Sequence, residues 1–533
     1  MSALYGKMAI DFGTSNTVVA FWNEAERDVV LQHIPEASLP FCFSLEGRDS
    51  EIPYVPSVIC YQDKNTRFIG NRVIEKSLER SQGTFRWMKA YIQEKKMMRY
   101  NLSDGTSVDY FTAAQDFLDY LILYAVQSSH VDISSCEIPF TVPIEHFEYY
   151  TNWLSDACQK IGIKRYRFID EATSTIFGYD ANLKAGDIFF IFDFGGGTLD
   201  CSIVKMEDRV EGGRGCRVIG KAGCYIGGRT IDGWLYKDLL KKAKIDYLGA
   251  KKASWNIMFK VEKIKEWLST NATSSYNIEH GGVTLKGEYH LEEFERLLEE
   301  NGFYADIEKT IKKAVERARD NGITPDDVKQ VLLVGGSSLI PSVKRKVSET
   351  FGNRLRAYRP YDAVARGACI YLTEGAESLY DYIQHDYAIR SVDPATRKAI
   401  FIPLISAGTH YPTKPDFKKI PLEGIKENQR FFGIDIYELS DKDINATGRG
   451  GLVQNHNGEW VFEYDSVRRE SGVEFWMNEK KPTFIEATPP ANKGEKRFSV
   501  TFMVDSNKML LVTVYDEKTK KPLYDRYPVV KLK

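Results

Sequence analysis

The chain has no CxxC pair, no GxxxxGK[ST] loop, no apolar run long enough for a bilayer, and no surplus of either charge. Each absence removes a class of function. The eight cysteines, at 42, 60, 136, 158, 201, 216, 224 and 369, lack zinc-type spacing and have no histidine pair beside them. They read as reduced thiols of a cytoplasmic protein, neither a disulfide framework nor a metal site. With 72 basic against 74 acidic residues, the balance points to no nucleic acid and no membrane surface as partner. Basic clusters such as "KDLLKKAK" read as solvated helix faces. The most apolar stretch, "FLDYLILYAV" at 117–126, holds Asp119 and is shorter than the roughly 20 residues a spanning helix needs. It reads as a buried helix. The N-terminus enters a strand almost at once, without a basic-then-apolar leader pattern.

What is present is a globular composition, 43% hydrophobic and 27% charged, in 533 residues, too many for one core. Up to about residue 375, strand patterns alternate with helical ones, as in a layered α/β domain. Thereafter period-two alternation takes over in "RFFGIDIYEL", "EWVFEYDSV", "KRFSVTFMVD" and "MLLVTVYD". In the third of these, Phe498, Val500, Phe502 and Val504 share one face, opposite Ser499 and Thr501. The expected division is an α/β domain over 1–375, a linker over 376–388 within "ESLYDYIQHD", and a β-sandwich domain over 389–533.

One pattern occurs twice. "MAIDFGTSNTVVAFW" at 8–22 and "FFIFDFGGGTLDCSIVK" at 189–205 both run apolar strand, Asp-Phe-Gly, small turn, strand. Two such hairpins imply two equivalent half-domains facing each other. Turns of small residues leave backbone N–H groups pointing into a concavity, which suits phosphate oxygens. Carboxylates at both entrances, Asp11 and Asp193, would repel bare phosphate, so a cation belongs between them, and magnesium held through water supplies it. Thr14 and Thr198, just past the two aspartates, can place hydroxyls on the terminal phosphate. With "VLLVGGSS" downstream, the hairpins point to a nucleotide clamp. Alone, either hairpin would be an ordinary tight turn.

In order along the chain, "IDFGTSNTVVA", "FRWMKAYI", "RFIDEATSTIFGYD", "IFDFGGGTLDCSIV", "YIGGRTIDGWL", "VLLVGGSSLIP" and "YDAVARGACIYL" resemble motifs of the actin, sugar-kinase and heat shock protein 70 ATPase superfamily. The heat shock protein 70 (DnaK-type) chaperones are most similar, and the C-terminal strands resemble their substrate-binding β-sandwich. The resemblance implies a two-lobed actin-like ATPase domain followed by that sandwich, with ATP or ADP and magnesium as ligands. It implies that Asp11 and Asp193 position hydrated magnesium, and that Lys89 and Glu171 orient the attacking water and γ-phosphate. Thr14 and Thr198 would contact the transferred phosphate. Gly13, Ser15, Asn16, Gly195, Gly196, Gly197, Gly227, Gly228, Gly335, Gly336 and Ser337 would surround the nucleotide, and Glu262, Lys265 and Ser269 would bind its adenosine. Phosphoryl transfer by positioning and charge neutralisation fits such a set, since it needs no covalent nucleophile.

The sequence departs from the family in places. Glu266 and Leu339 stand where the family stacks two arginines on adenine, each such contact contributing on the order of 0.5–2 kcal/mol. Thr151 stands where an arginine follows the switch proline, here Pro143. Phe432 falls where a smaller apolar residue lines the peptide pocket. No helical-lid pattern follows the sandwich up to "YPVVKLK". Three functions remain open. The first is a slowly ATP-hydrolysing chaperone whose β domain binds extended polypeptide, with co-chaperone or exchange factor. The second is a nucleotide-dependent scaffold for one dedicated protein partner. The third is a small-molecule kinase of the same superfamily.

Overall fold

The apolar run before each glycine turn folds back on the run after it. In the computed structural model, β1 (Met8–Phe12) pairs antiparallel with β2 (Asn16–Asn23), and β2 with β3 (Asp28–Leu31). β1 also pairs parallel with β4 (Glu137–Val142), and β4 with β5 (Arg165–Asp170). A second sheet repeats this order. β6 (Ile188–Phe194), β7 (Leu199–Asp208) and β8 (Arg214–Cys224) form an antiparallel meander. β9 (Gln330–Val334) pairs parallel with β6, and β10 (Leu355–Arg356) with β9. Both sheets contain the path third, second, first, fourth, fifth strand, with the hairpin's first strand at the centre. The first sheet also carries an outer hairpin, Leu39–Leu45 with Arg48–Pro56, attached to the start of β2. The structure describes residues 7–532 except 46–47, 82, 94–98, 103, 129–132, 134–135, 144–147, 180–182, 209–213, 320, 358, 374–382, 384, 393–398, 408, 410, 441–449, 455–459, 465–472, 480–481 and 506–507.

Parallel neighbours need crossover connections, and helices supply them. The first half carries α1 (Met88–Gln93), α2 (Tyr110–Ser128), α3 (Glu148–Ile161) and α4 (Glu171–Gly178). The second carries α5 (Gly228–Ala243), α6 (Ser254–Leu268), α7 (Phe303–Arg319), α8 (Pro341–Phe351) and α9 (Ala363–Thr373). The run around "FLDYLILYAV" is α2, whose Ala113, Ala114, Phe117, Leu118, Leu121, Ile122 and Ala125 form a buried stripe. α4 follows β5 as α9 follows β10, and the two helices cross in contact. Glycines permit this approach: a side chain at Gly178 would collide with the Ala363 carbonyl, and one at Gly367 with that of Ser174.

Two compact units emerge, residues 1–376 with 442–471, and residues 377–441 with 472–533. "EWVFEYDSV" supplies a strand, Trp460–Tyr464, which pairs with Gly450–Gln454 and is grouped with the first unit. Most of the segment read as a linker lies outside the described residues. The second unit holds antiparallel sheets. One orders Lys418–Glu423, Lys496–Val504, Met509–Asp516 and Lys521–Lys531, and another orders Ala399–Ile405, Asp386–Val392, Ile436–Ser440 and Val473–Trp476. Phe498, Val500, Phe502 and Val504 all face its core, as their alternation requires. Phe432 joins that core, 5% exposed, its ring edge-on to Phe498 at 5.1 Å.

Candidate active site

The turns of the two duplicated hairpins face each other. A Cβ placed on Gly196 would lie 2.8 Å from Ser15 Oγ, and one on Gly197 would lie 3.7 Å from Thr14 Oγ1. Ser57 braces the first turn: its Oγ donates to the Gly13 carbonyl at 2.8 Å and its N–H to the Ser15 carbonyl at 2.8 Å. The second turn is held by two other motifs. Gly228 and Arg229 N–H donate to the Gly195 and Gly196 carbonyls at 3.1 and 2.9 Å, and Ser337 Oγ donates to Gly195 O at 3.0 Å. Segments far apart in sequence thus converge on one cleft, with Gly227, Gly335 and Gly336 at its edges.

At the closed end sits a knot of buried charge. Lys89, on α1, donates from Nζ to Glu171 Oε1 at 2.8 Å. Glu171 opens α4, whose N-cap Asp170 accepts from Thr173 N–H at 2.7 Å. Thr141 Oγ1 donates to Asp11 Oδ1 at 2.8 Å, fixing the carboxylate at the end of β1. Asp193 lies opposite Asp200 in the β6–β7 ladder. Burial raises the Asp11 carboxyl, against Lys89 and the Thr141 hydrogen bond, which lower it. Burial also raises Glu171, with Lys89 opposing and Asp11 and Asp200 adding to the rise. Asp193 is pushed well above the carboxylate range, by burial first and then by Glu171, Asp200 and Asp11. Burial would lower Lys89, but Glu171, then Tyr150 and Asp11, hold it raised. Asp11, Glu171 and Asp193 therefore share the Lys89 ammonium, with Asp200 adding negative charge beside them, and the imbalance favours a bound cation.

The adenosine candidates lie on α6. Lys265 Nζ donates to Asp232 Oδ2 at 2.9 Å and to Gly228 O at 3.2 Å. Glu262 reaches Arg86 at 3.9 Å, and Ser269 Oγ donates to Lys265 O at 3.1 Å. Glu266 points outward and pairs with Lys263 at 2.7 Å. Beside the two turns opens a small pocket lined by Ser15 and Gly196 together with Arg86, Trp87, Arg229 and Trp255. Arg229 lies over Trp87 at 4.6 Å, and Arg86 over Trp255 at 5.1 Å. Trp87 itself has φ 57°, a costly backbone conformation for a bulky residue, two positions before Lys89.

A family model described as Hsp70 protein matches residues 7–447. The chain belongs to the Hsp70 family. It is 25% identical over 544 residues to the chaperone protein DnaK of Deinococcus proteolyticus, a match covering 96% of this chain and 77% of that one. It is also 25% identical over 540 residues to the chaperone protein DnaK of Cyanidioschyzon merolae, covering 96% and 80% of the two chains. Membership carries the family's architecture, a two-lobed actin-like ATPase followed by a C-terminal β domain, and its general association with ATP. Among the described residues, no helix is long and apolar enough to cross a membrane.

Sequence reasoning missed several members of this Hsp70-family site. Asp200 is the second residue of β7, directly after the turn, so its place beside the turn could have been read from the sequence. Thr141, Asp232 and the Arg–Trp pocket left no comparable mark. No three described His, Cys, Asp or Glu side chains converge as direct metal ligands. Asp11 and Asp193 suit an ion held through its waters, and their raised carboxyls favour a nearby positive charge.

Proposed function

We propose that this chain binds ATP and ADP with magnesium between its two hairpins, hydrolyses ATP slowly, and uses nucleotide state to set the affinity of its C-terminal β domain for extended polypeptide. The observation that carries this reading is the set of three carboxylates, Asp11, Glu171 and Asp193, around Lys89 at the meeting point of the two turns. Magnesium, when bound, neutralises the phosphate oxygens and the carboxylate excess together. Thr14, Thr198 and the turn N–H groups of Gly196 and Gly197 hold the terminal phosphate. Glu171, held by Lys89, orients a water against γ-phosphorus and accepts its proton, which its raised pKa favours. The bond to the bridging oxygen breaks, leaving ADP and inorganic phosphate. Glu262, Lys265 and Ser269 serve the adenosine, once Lys265 exchanges Asp232 for ligand. Phosphate release from magnesium ATP, with and without an unfolded apolar peptide, tests the reading. No binding of magnesium ATP at about 1 mM, roughly −4 kcal/mol, overturns it.

A second reading is favoured by one observation. Phe432 fills core space with a phenyl ring against Phe498, where the family resemblance implies a smaller residue beside a peptide pocket. A β domain so filled serves as a scaffold for one dedicated partner. Fluorescence anisotropy of labelled apolar heptapeptides separates the two, since no binding at about 100 μM favours the scaffold. Phosphate transfer to a small polyol would instead point to a kinase.

A further inference from the structure

The two arginines that stack on adenine in the family are Glu266 and Leu339 here, yet the same corner of the cleft is not empty of flat surfaces. Tyr361 lies against Gly336: a Cβ on that glycine would stand 3.3 Å from the tyrosine Cε1 and 3.7 Å from its hydroxyl. Gly336 opens the short turn that ends at Leu339, and Gly335 N–H is tied to Pro360 O at 2.8 Å. Phe41, from the outer hairpin of the first lobe, meets the Tyr361 ring at 4.2 Å with an interplanar angle of 49°. Tyr54, on the opposite strand of that hairpin, meets Phe41 edge-on at 6.1 Å. The Glu266 charge acts on both Tyr361 and Tyr54, after burial the first influence on Tyr361. Three rings therefore converge beside Gly336, within reach of the Glu266 charge.

We propose that Phe41, Tyr54 and Tyr361 form an aromatic platform for the base of a purine nucleotide, replacing the two guanidinium planes and making the site tolerant of adenine and guanine alike. The proposal rests on the nucleotide reading given above and adds which side chains hold the base and how selectively. An aromatic face stacks on any base, because every base presents a π-face, whereas discrimination needs hydrogen bonds to the base edge. Tyr361 and Phe41 are contributed by opposite lobes, so a base on this platform touches both and favours the closed cleft. Tyr361 and Phe41 are both half-buried, so the rings are held by packing before ligand arrives.

Calorimetric titration of the full chain with magnesium ADP, magnesium GDP and magnesium pyrophosphate tests the proposal. Wild type is expected to bind ADP and GDP within about threefold of each other, and both at least about tenfold more tightly than pyrophosphate, the affinity equivalent of one stacked ring. Tyr361→Ala and Phe41→Ala should each weaken both nucleotides about tenfold and leave pyrophosphate unchanged, while Tyr361→Trp retains the affinity. Thermal melts accompany the titrations, and Phe41→Ala decides if Tyr361→Ala does not fold. Failure of wild type to bind any of the three ligands overturns the nucleotide reading and the platform together. Pyrophosphate bound as tightly as ADP, a more than tenfold preference between ADP and GDP, or ADP affinity unmoved or improved by the ring deletions, overturns the platform alone.

Discussion

Replacing Lys89 by methionine removes the one ammonium from the carboxylate knot while keeping the buried apolar stem. Lys89 is 5% exposed and lies 2.8 Å from Glu171, so the substitution leaves Glu171 and Asp11 without their counter-charge. Loss of one partner of a buried pair costs about 3–5 kcal/mol when the other must stay ionised. Protonation caps that cost: holding Glu171 neutral at pH 7, from an ordinary value of 4.5, takes about 3.4 kcal/mol. The expected destabilisation of Lys89→Met is therefore about 3 kcal/mol in urea denaturation. With Glu171 raised in the folded state, the folded chain binds a proton more readily than the unfolded one. Its contribution to stability then falls as pH rises from 4.5 through the raised value, so the deficit shrinks toward about pH 5. Adding Glu171→Gln to Lys89→Met should recover about 2 kcal/mol, because the carboxylate nearest the lost ammonium is then uncharged. Single-turnover phosphate release should fall at least about tenfold, or 1.4 kcal/mol of transition-state stabilisation, in both the single and the double variant. A double variant no more stable than Lys89→Met refutes the electrostatic account. Wild-type hydrolysis in either removes Lys89 from the mechanism.

Asp193→Asn relieves the crowding by Glu171, Asp200 and Asp11, so it should raise the melting temperature without magnesium while lowering hydrolysis at least about tenfold. Calorimetry and phosphate release read the two effects, and a fall in both would show Asp193 to be structural. Burial pushes the Asp232 carboxyl up to about 7 against the pull of Lys265. Below that value the neutral carboxyl releases Lys265 toward an anionic ligand, so magnesium ADP affinity should rise as pH falls from about 8 to about 6. Asp232→Asn should flatten the profile, and a flat wild-type profile refutes the competition. Phe432→Val removes most of a ring packed edge-on to Phe498 and should cost about 2 kcal/mol in urea denaturation. If the space it vacates reaches a peptide site, anisotropy should show a wider range of bound heptapeptides. An unchanged range favours the scaffold.

The meeting of the two turns was readable because the parts of each are contiguous. A turn that lays backbone against phosphate needs small residues between two strands, and "DFGTSN" and "DFGGGT" carry that need in a few positions. The pairing of Lys89 with Glu171 was readable only through resemblance, since nothing local ties a helix lysine to a helix-opening acid in another segment. In the second unit, alternation identified the buried face of Lys496–Val504 residue by residue. Alternation did not reveal that Trp460–Tyr464 groups with the first unit, because period two fixes a strand and its faces but not its neighbours.

The base end resisted reading for a different reason. Backbone recognition of phosphate leaves glycines behind, but recognition by a flat side chain leaves only an aromatic residue, which a sequence cannot distinguish from core. Phe41 and Tyr54 precede every nucleotide motif but the first, and Tyr361 sits in "RPYDAVARG" beside the last. Only the folded chain brings positions 41 and 361 to 4.2 Å, across two lobes and more than half the sequence. The absence of arginine at 266 and 339 was visible, and by itself it argued for weak nucleotide binding. What the fold adds is the compensation: a cationic plane and an aromatic ring offer a base the same kind of face, so the loss of one need not weaken stacking. It does alter selectivity, because neither Phe41 nor Tyr361 carries a guanidinium to reach a base edge. A site with strong phosphate recognition and an aromatic base platform reads the number of phosphates before the identity of the base. On the proposed nucleotide reading, the difference between ATP and ADP is the signal such a cleft would detect best.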